Sequence, residues 1–129
     1  GKISRTKLIK EADKYASLYV RQKYADKDGV VKCFTCPKRS HWKKTQNSHW
    51  IVRQYKYTRW HPDNMRPACY ACNILFNGRP HVFRENLVKE IGEERVWAIE
   101  TLAKKLFTEK DEWIIEKITH YKELLSTPP

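Results

Sequence analysis

The chain is 129 residues long and strongly basic, with 26 Lys and Arg against 15 Asp and Glu and a formal net charge of +11 at pH 7. This length suits one domain with a modest core, and the excess positive charge favours a polyanionic partner, nucleic acid above all. Since no apolar run could cross a membrane and GKISRTKLIK lacks the apolar stretch of a signal peptide, we expect a cytoplasmic protein that neither spans a membrane nor is secreted.

An amphipathic helix is predicted before the central segment of the chain. It covers residues 4–27 and stops at the Asp28-Gly29 pair. Its apolar face is formed by Leu8, Ala12, Tyr15, Ala16, Tyr19 and Val20.

Three further helices are predicted after residue 79. The first begins at Pro80, which suits a first helical turn, and ends before Gly92, which suits the position just past a helix end. The second begins at Glu93 and runs to about Phe107. The third opens with Thr108 as its N-cap, and its apolar face is formed by Trp113, Ile114, Ile118, Tyr121 and Leu125.

Two cysteine pairs, Cys33-x-x-Cys36 and Cys69-x-x-Cys72, lie on either side of residues 37–68. In a reducing compartment this pattern favours a structural zinc ion over disulfides, because two intervening residues let both thiolates of a pair reach one tetrahedral ion. A redox-active pair or buried free thiols are the alternatives, and two matched pairs in one small domain argue against both.

The expected fold class is α+β and mainly helical, with one domain over residues 1–129. An N-terminal helix occupies residues 1–28, a zinc-bound core residues 30–79, and helices residues 80–125. Neither an internal repeat nor a linker interrupts this order.

A histidine and three asparagines follow a regular spacing between and after the cysteine pairs. His49, Asn64, Asn73 and Asn77 form His-x14-Asn-x8-Asn-x3-Asn. This register resembles that of the HNH, or ββα-metal, nucleases, whose consensus is His-x14-Asn-x8-His-x3-His. Asn73 and Asn77 stand in the places of the second and third histidines, and asparagine in the first of these places resembles the variant that includes phage endonuclease VII.

The closer resemblance is to the NinG/Rap phage recombination nucleases, and it runs from about Leu8 to Leu125. Its motifs are a helix before the first cysteine pair, Ser48-His49-Trp50 in place of a GHY-like stretch, CYACN at residues 69–73, and FRENLVKEIG at residues 83–92. The resemblance implies an endonuclease that cuts branched recombination intermediates, such as Holliday junctions and D-loops, in the cytoplasm of a phage-infected host.

The resemblance also implies roles for single residues. His49 would be the general base, Asn64 would hold the loop that orients it, and Asn73 would bind a divalent ion from a helix. Amide oxygens suit Mg²⁺ or Mn²⁺, and the i, i+4 spacing of Asn73 and Asn77 predicts that both lie on one helical face. Many relatives carry an aspartate as a second ligand where this chain has Ser48, and serine is a poor ligand. Asn73 could therefore hold the ion largely with waters, or the further ligand could be Asn77, Gln46, Asn47 or Ser48.

Each of these residues also has a structural interpretation. His49 could be a structural histidine, and Asn64 could be a turn residue after Pro62-Asp63. Asn73 could bond to backbone near the cysteine pair, and Asn77 could end a helix before Gly78.

Basic residues near this site predict contacts to DNA phosphates, with recognition of structure more than of sequence. They are Arg53, Lys56, Arg59, Arg66, Arg79, Lys43 and Lys44. Three of them alternate with the rings of Tyr55, Tyr57 and Trp60, which could stack on unpaired bases or belong to the core. A homodimer would also suit junction cleavage.

The alternative function is a zinc-stapled DNA-binding module without catalysis. It explains the charge and the cysteines, and only the His/Asn register distinguishes the nuclease from it. A structural adaptor would leave the basic charge unexplained.

Overall fold

The computed structural model describes residues 2–127 and confirms an α+β, mainly helical chain. Its helices are α1 (Arg5–Lys23), α2 (Lys56–Arg59), α3 (Pro80–Ile91), α4 (Glu93–Ala103) and α5 (Asp111–Ser126). Its strands are β1 (Val30–Lys32), β2 (Arg39–His41), β3 (Gln46–His49) and β4 (Met65–Ala68). Short 3₁₀ turns cover Trp42–Lys44 and Pro62–Asn64, and a π-helical turn covers Ala71–Leu75. Within the described residues, no helix is both long and apolar enough to cross a membrane.

The α1 helix packs its predicted apolar face against α5. The Ser4 hydroxyl accepts from the Lys7 N–H at 3.2 Å and caps the helix start. Along α1, the buried residues are Leu8, Ala12, Ala16 and Val20, and they form one cluster with Ile114, Ile118 and Tyr121 of α5. The helix ends at Lys23 and not at residue 27, because the Asp26 carboxylate accepts from the N–H groups of Asp28 and Val30 and holds a turn there.

Two antiparallel strand pairs build the centre of the molecule. β1 pairs with β2, and β3 pairs with β4 from Gln46 opposite Ala68 to His49 opposite Met65. The π-helical turn follows β4, so β3, β4 and this turn form a small ββα unit. β4 is buried along its whole length, which fixes the unit in the molecule.

The C-terminal helices confirm the order predicted from the sequence but correct two boundaries. α3 begins at Pro80 and ends before Gly92, as predicted, whereas α4 ends at Ala103 and not near Phe107. Thr108 is not an N-cap, since α5 begins at Asp111 after Lys110. The Phe107 ring packs against two other rings, with centroid distances of 4.9 Å to Tyr57 and 5.3 Å to Trp113. We attribute the earlier end of α4 to this packing, because it requires a non-helical path for the residues around Phe107.

Candidate functional site

The four cysteines converge at the ends of β1 and β4. Their sulfur atoms all lie within 4.8 Å of one another, and the Cys36 and Cys69 Sγ atoms are 3.8 Å apart. A tetrahedral ion with Zn–S bonds of about 2.3 Å separates its sulfurs by about 3.8 Å. The cluster is therefore placed to hold a structural metal ion and is consistent with zinc.

Polar groups around the cluster favour the thiolate form of Cys33 and Cys72, whereas burial raises the pKa of Cys36 to about 12. Cys33 Sγ accepts from the backbone N–H groups of Cys69 at 3.2 Å and Thr35 at 3.5 Å, and Arg79 Nε donates to Cys72 Sγ at 3.1 Å. Burial raises the pKa of Cys33, but the hydrogen bonds from Cys69 and Thr35 outweigh it and lower the value to about 6. Thiolates are the form that binds zinc, so the surroundings suit the ion.

A cleft of about 800 Å³ lies between α1 and the ββα unit. Its α1 side is lined by Lys10, Asp13, Lys14, Ser17 and Arg21. The opposite side includes Gln46, Asn47, His49, Arg53, Asn73 and Asn77. The structure thus brings the predicted histidine and the asparagines of the metal site to one concave surface.

His49 stands at the end of β3 and is held by a backbone carbonyl. Its Nε2 atom lies 2.9 Å from the Arg59 carbonyl oxygen. Because a carbonyl only accepts, Nε2 carries the proton, and the neutral ring then keeps its lone pair on Nδ1. Burial of the imidazole lowers the pKa of His49 to about 4, against the opposing effect of the Arg59 carbonyl, so the ring is neutral at pH 7.

Asn64 is fully buried and ties together the segment that follows β3. Its Nδ2 donates to the carbonyls of Ile51 at 3.1 Å and Thr58 at 2.9 Å, and its Oδ1 accepts from the Ile51 N–H at 2.7 Å. These bonds fit the loop-holding role that the resemblance implies. Whether they serve catalysis stays a prediction.

Asn73 and Asn77 both reach the cleft, but not from one helical face. Asn73 lies in the π-helical turn, where its Nδ2 donates to Gln46 Oε1 at 2.7 Å. Asn77 lies beyond that turn with φ of 52°, a left-handed conformation that ends helical structure. The shared helical face predicted from their spacing is therefore wrong, because the helical turn ends at Leu75.

Two oxygen atoms of β3 have no hydrogen-bond partner among the described residues. They are Asn47 Oδ1 and Ser48 Oγ, and both are buried. Asn47 lines the cleft, and Ser48 lies under its edge, where a Cβ added to Gly78 would be 3.9 Å from the hydroxyl. Buried oxygens normally have partners, and neutral oxygens are the ligands that Mg²⁺ and Mn²⁺ accept. In the part of the chain that the structure describes, both oxygens are therefore left to accept a further partner.

Comparison with known proteins places the chain in a family. Residues 2–127 match the family described as NinG: Bacteriophage Lambda NinG protein. The chain belongs to the NinG family. No curated protein and no solved structure matches it. Membership in the NinG family confirms the coarser part of the resemblance found in the sequence, and the nuclease activity stays a prediction.

The NinG-family chain presents only part of its predicted basic set to solvent. Lys43, Lys44 and Arg53 are exposed, Lys56 is half-buried over the Phe107 ring, and Arg79 is half-buried between Cys72 and Phe76. Trp60 is buried and belongs to the core, whereas the half-buried Tyr57 ring packs against those of Phe107 and Trp113.

The structure places two of the predicted DNA contacts, Arg59 and Arg66, in contacts within the protein. The Arg66 side chain is 2% exposed, and its guanidinium donates to Glu90 and to the carbonyls of Pro62 and Met65. The Arg59 guanidinium is 16% exposed and makes a two-point pair with the Asp13 carboxylate. Both guanidinium groups serve internal contacts instead of facing a ligand.

The sequence reasoning missed the α1 side of the cleft. Lys10, Asp13, Lys14 and Arg21 all line it. The signal was present, because Lys10, Lys14, Ser17 and Arg21 recur at intervals of three or four and so share a helical side. Only the packing of α1 shows that this side adjoins His49.

Proposed function

We propose that this protein is a divalent-metal-dependent DNA endonuclease that cuts branched recombination intermediates such as Holliday junctions and D-loops. One observation carries the proposal. A neutral histidine, fixed by the Arg59 carbonyl, lines a cationic cleft beside buried amide and hydroxyl oxygens that lack hydrogen-bond partners in the described chain. This combination matches what the family resemblance implies for His49 and Asn73.

His49 acts as the general base through Nδ1. With Nε2–H bonded to the Arg59 carbonyl, Nδ1 accepts a proton from water as the water oxygen attacks phosphorus. The bond between phosphorus and the 3′ oxygen breaks, leaving a 5′ phosphate and a 3′ oxygen that takes a proton from solvent. Because the Arg59 carbonyl fixes the tautomer, the lone pair of the imidazole is on Nδ1, the atom that accepts the proton from water.

Asn73, Asn47 and Ser48 would hold the ion. The Nδ2 atom of Asn73 is bonded to Gln46, which leaves its Oδ1 as the donor for a ligand bond. Asn47 Oδ1 and Ser48 Oγ supply further neutral oxygens. Bound Mg²⁺ or Mn²⁺ would stabilise the negative charge that grows on the phosphate and on the leaving oxygen.

The cations of the cleft would bind the DNA backbone. Lys10 and Lys14 are exposed on α1, and Arg53 is 60% exposed across from them. Contacts of lysine and arginine with phosphates carry no base information, so this surface supports recognition of DNA shape. A branched substrate is consistent with that mode of binding.

The test is a cleavage assay on duplex, single-stranded and four-way DNA with Mg²⁺, Mn²⁺ or a chelator. We expect metal-dependent cleavage, strongest on four-way DNA. His49→Ala should abolish cleavage while zinc content, thermal stability and DNA affinity stay near wild type, because a base contributes only in the transition state. His120→Ala, which removes an exposed histidine on α5 away from the cleft, is the matched control and should cut normally.

Two outcomes would overturn the proposal. If the wild-type protein binds all three DNAs and cuts none of them, the non-catalytic zinc-stapled module is the better description. If His49→Ala cuts at the wild-type rate, the base has been assigned to the wrong residue.

A further inference from the structure

Asp13 of α1 connects three residues on the far side of the cleft. Its Oδ1 atom accepts from Arg59 Nε at 2.9 Å and from Trp60 Nε1 at 2.9 Å, and its Oδ2 atom accepts from the Arg59 terminal nitrogen at 2.7 Å. Arg53 is also near, with a nitrogen 3.6 Å from Oδ2. The carboxylate is three-quarters buried, at 24% exposure, so these contacts are partly shielded from water.

Arg59 contacts both Asp13 and His49. The Arg59 side chain pairs with Asp13, and the Arg59 carbonyl accepts from His49 Nε2 at 2.9 Å. The third nitrogen of the same guanidinium donates to the Arg53 carbonyl at 3.0 Å. The side chain and the backbone of Arg59 thus link α1 to the imidazole.

This link bears on a weak element of the fold. α2 has only four residues, Lys56–Arg59, and its start has no side-chain cap in the described structure. A helix this short is not stable by itself, so contacts with other elements set its position. At its last residue, those contacts include the two bonds from Arg59 to Asp13.

We propose that Asp13 is a positioning residue of the nuclease site, acting on His49 through Arg59. The inference rests on the proposed function. Asp13 fixes the Arg59 carbonyl at the distance that orients the imidazole and keeps the proton on Nε2. It also keeps the Arg59 guanidinium away from DNA phosphates, which would otherwise compete for it and shift the carbonyl.

A purely structural salt bridge would have different consequences, and the chain offers a matched control for it. Asp111 pairs with Arg5 at 2.7 Å and joins α5 to α1 outside the cleft. Asp111→Asn therefore removes an ion pair that also anchors α1. If Asp13 only stabilised the fold, Asp13→Asn and Asp111→Asn would affect cleavage alike.

The experiment compares Asp13→Asn, Asp13→Glu and Asp111→Asn on four-way DNA. We expect Asp13→Asn to lower kcat by at least about tenfold, since a misplaced base loses much of its contribution. KM for DNA should stay equal or fall, because a negative charge leaves the cleft. Asp13→Glu should recover part of kcat, and Asp111→Asn should leave it unchanged.

Nuclear magnetic resonance of histidine-labelled protein supplies a second readout at one fixed pH. In the wild type, His49 should show a single Nε2–H tautomer, and in Asp13→Asn a mixture of tautomers. Arg59→Lys keeps the charge but breaks the two-point pair, so it should act in the same direction. If Asp13→Asn does not fold, Arg59→Lys is measured in its place.

The inference is overturned if Asp13→Asn keeps the wild-type kcat and the wild-type His49 tautomer. If Asp13→Asn does not fold, the same result for Arg59→Lys overturns it. In that case His49→Ala would still be inactive and the proposed function would stand. If His49→Ala were itself active, the proposed function would fail as well.

Discussion

The asparagines of this protein show how one residue type serves different purposes. Asn64 is buried and uses both of its side-chain polar atoms on backbone groups, so it shapes the segment after β3. Asn73 is half-buried and makes its side-chain bond to Gln46 at the cleft. Asn77 adopts a left-handed turn. Their substitutions should therefore separate loop shape, ion binding and turn geometry.

Asn73→Ala should lower cleavage in Mg²⁺ by about 10- to 100-fold or more, because the ion loses a ligand. High Mn²⁺ should restore part of the cleavage rate for Asn73→Ala, because a higher ion concentration compensates for weaker ion binding. It should restore none for His49→Ala, because an ion does not replace the missing base. Cleavage rates over a range of each ion measure this.

Asn77→Gly is the matched control at the neighbouring position, because glycine accepts the φ of 52° that alanine would strain. It should cost less activity than Asn73→Ala. A larger loss for Asn77→Gly would assign the principal ligand to residue 77.

At the scale of the elements, the cysteine cluster connects the first hairpin to the segment from β4 into the π-helical turn. One pair follows β1 of the first hairpin, and the other pair leads from β4 into the π-helical turn that carries Asn73. The strands involved have three or four residues each, which are too short to be stable alone. A bound ion should therefore contribute much of the stability of the ββα unit.

Purified protein should carry about one zinc ion per chain, as expected for a four-cysteine site. Cys33→Ser or Cys72→Ser should lose this ion and lower the free energy of unfolding by more than about 3 kcal/mol, beyond the usual effect of a point change. Metal analysis together with thermal unfolding checks both expectations. Folded wild-type protein that contains no zinc would contradict them.

For the whole molecule, the cleft combines cations from α1 with the exposed Arg53. Lys10 and Lys14 stand one helical turn apart, about 6 Å along the axis. Such a row can follow several phosphates of one strand. The net charge of +11 adds a general attraction to DNA that does not depend on this row.

Reversing both lysines, Lys10→Glu with Lys14→Glu, should weaken DNA binding and reduce the slope of log affinity against log salt by about 2, one for each lost phosphate contact. Titrations at several salt concentrations measure the slope. Lys104→Glu with Lys105→Glu, at the exposed end of α4, makes the same change in net charge away from the cleft. Equal effects of the two double variants would show that only net charge matters.

Local sequence patterns predicted the parts of the fold that depend on local interactions. The apolar spacing in α1, the Pro80 start and Gly92 end of α3, and the two cysteine pairs each involve residues that are close in sequence. Local patterns did not predict that the guanidinium groups of Arg59 and Arg66 lie in contacts within the protein. Their partners Asp13 and Glu90 lie on other elements, and only tertiary packing brings them together.

The same limit explains the incomplete prediction of the cleft. The register identified His49, Asn73 and Asn77, which line one side of it. Asp13 lies 36 positions before His49 in the chain, and its relation to that residue depends on how α1 docks beside a four-residue helix. No spacing rule covers such a distance, so the α1 side of the cleft needed the structure.

The position of the cysteine pairs has a consequence for the order in which the molecule assembles. Residues 37–68, which lie between the pairs, contain both His49 and Asn64. An ion bound to all four sulfurs closes this segment into a ring, and because the unfolded chain lacks the formed site, the free energy of metal binding becomes free energy of folding. The α1 and α5 helices pack in a cluster separate from the cysteines, so their contact does not depend on the ion. On the proposed function, a newly made chain would not cut DNA until metal uptake completes the ββα unit.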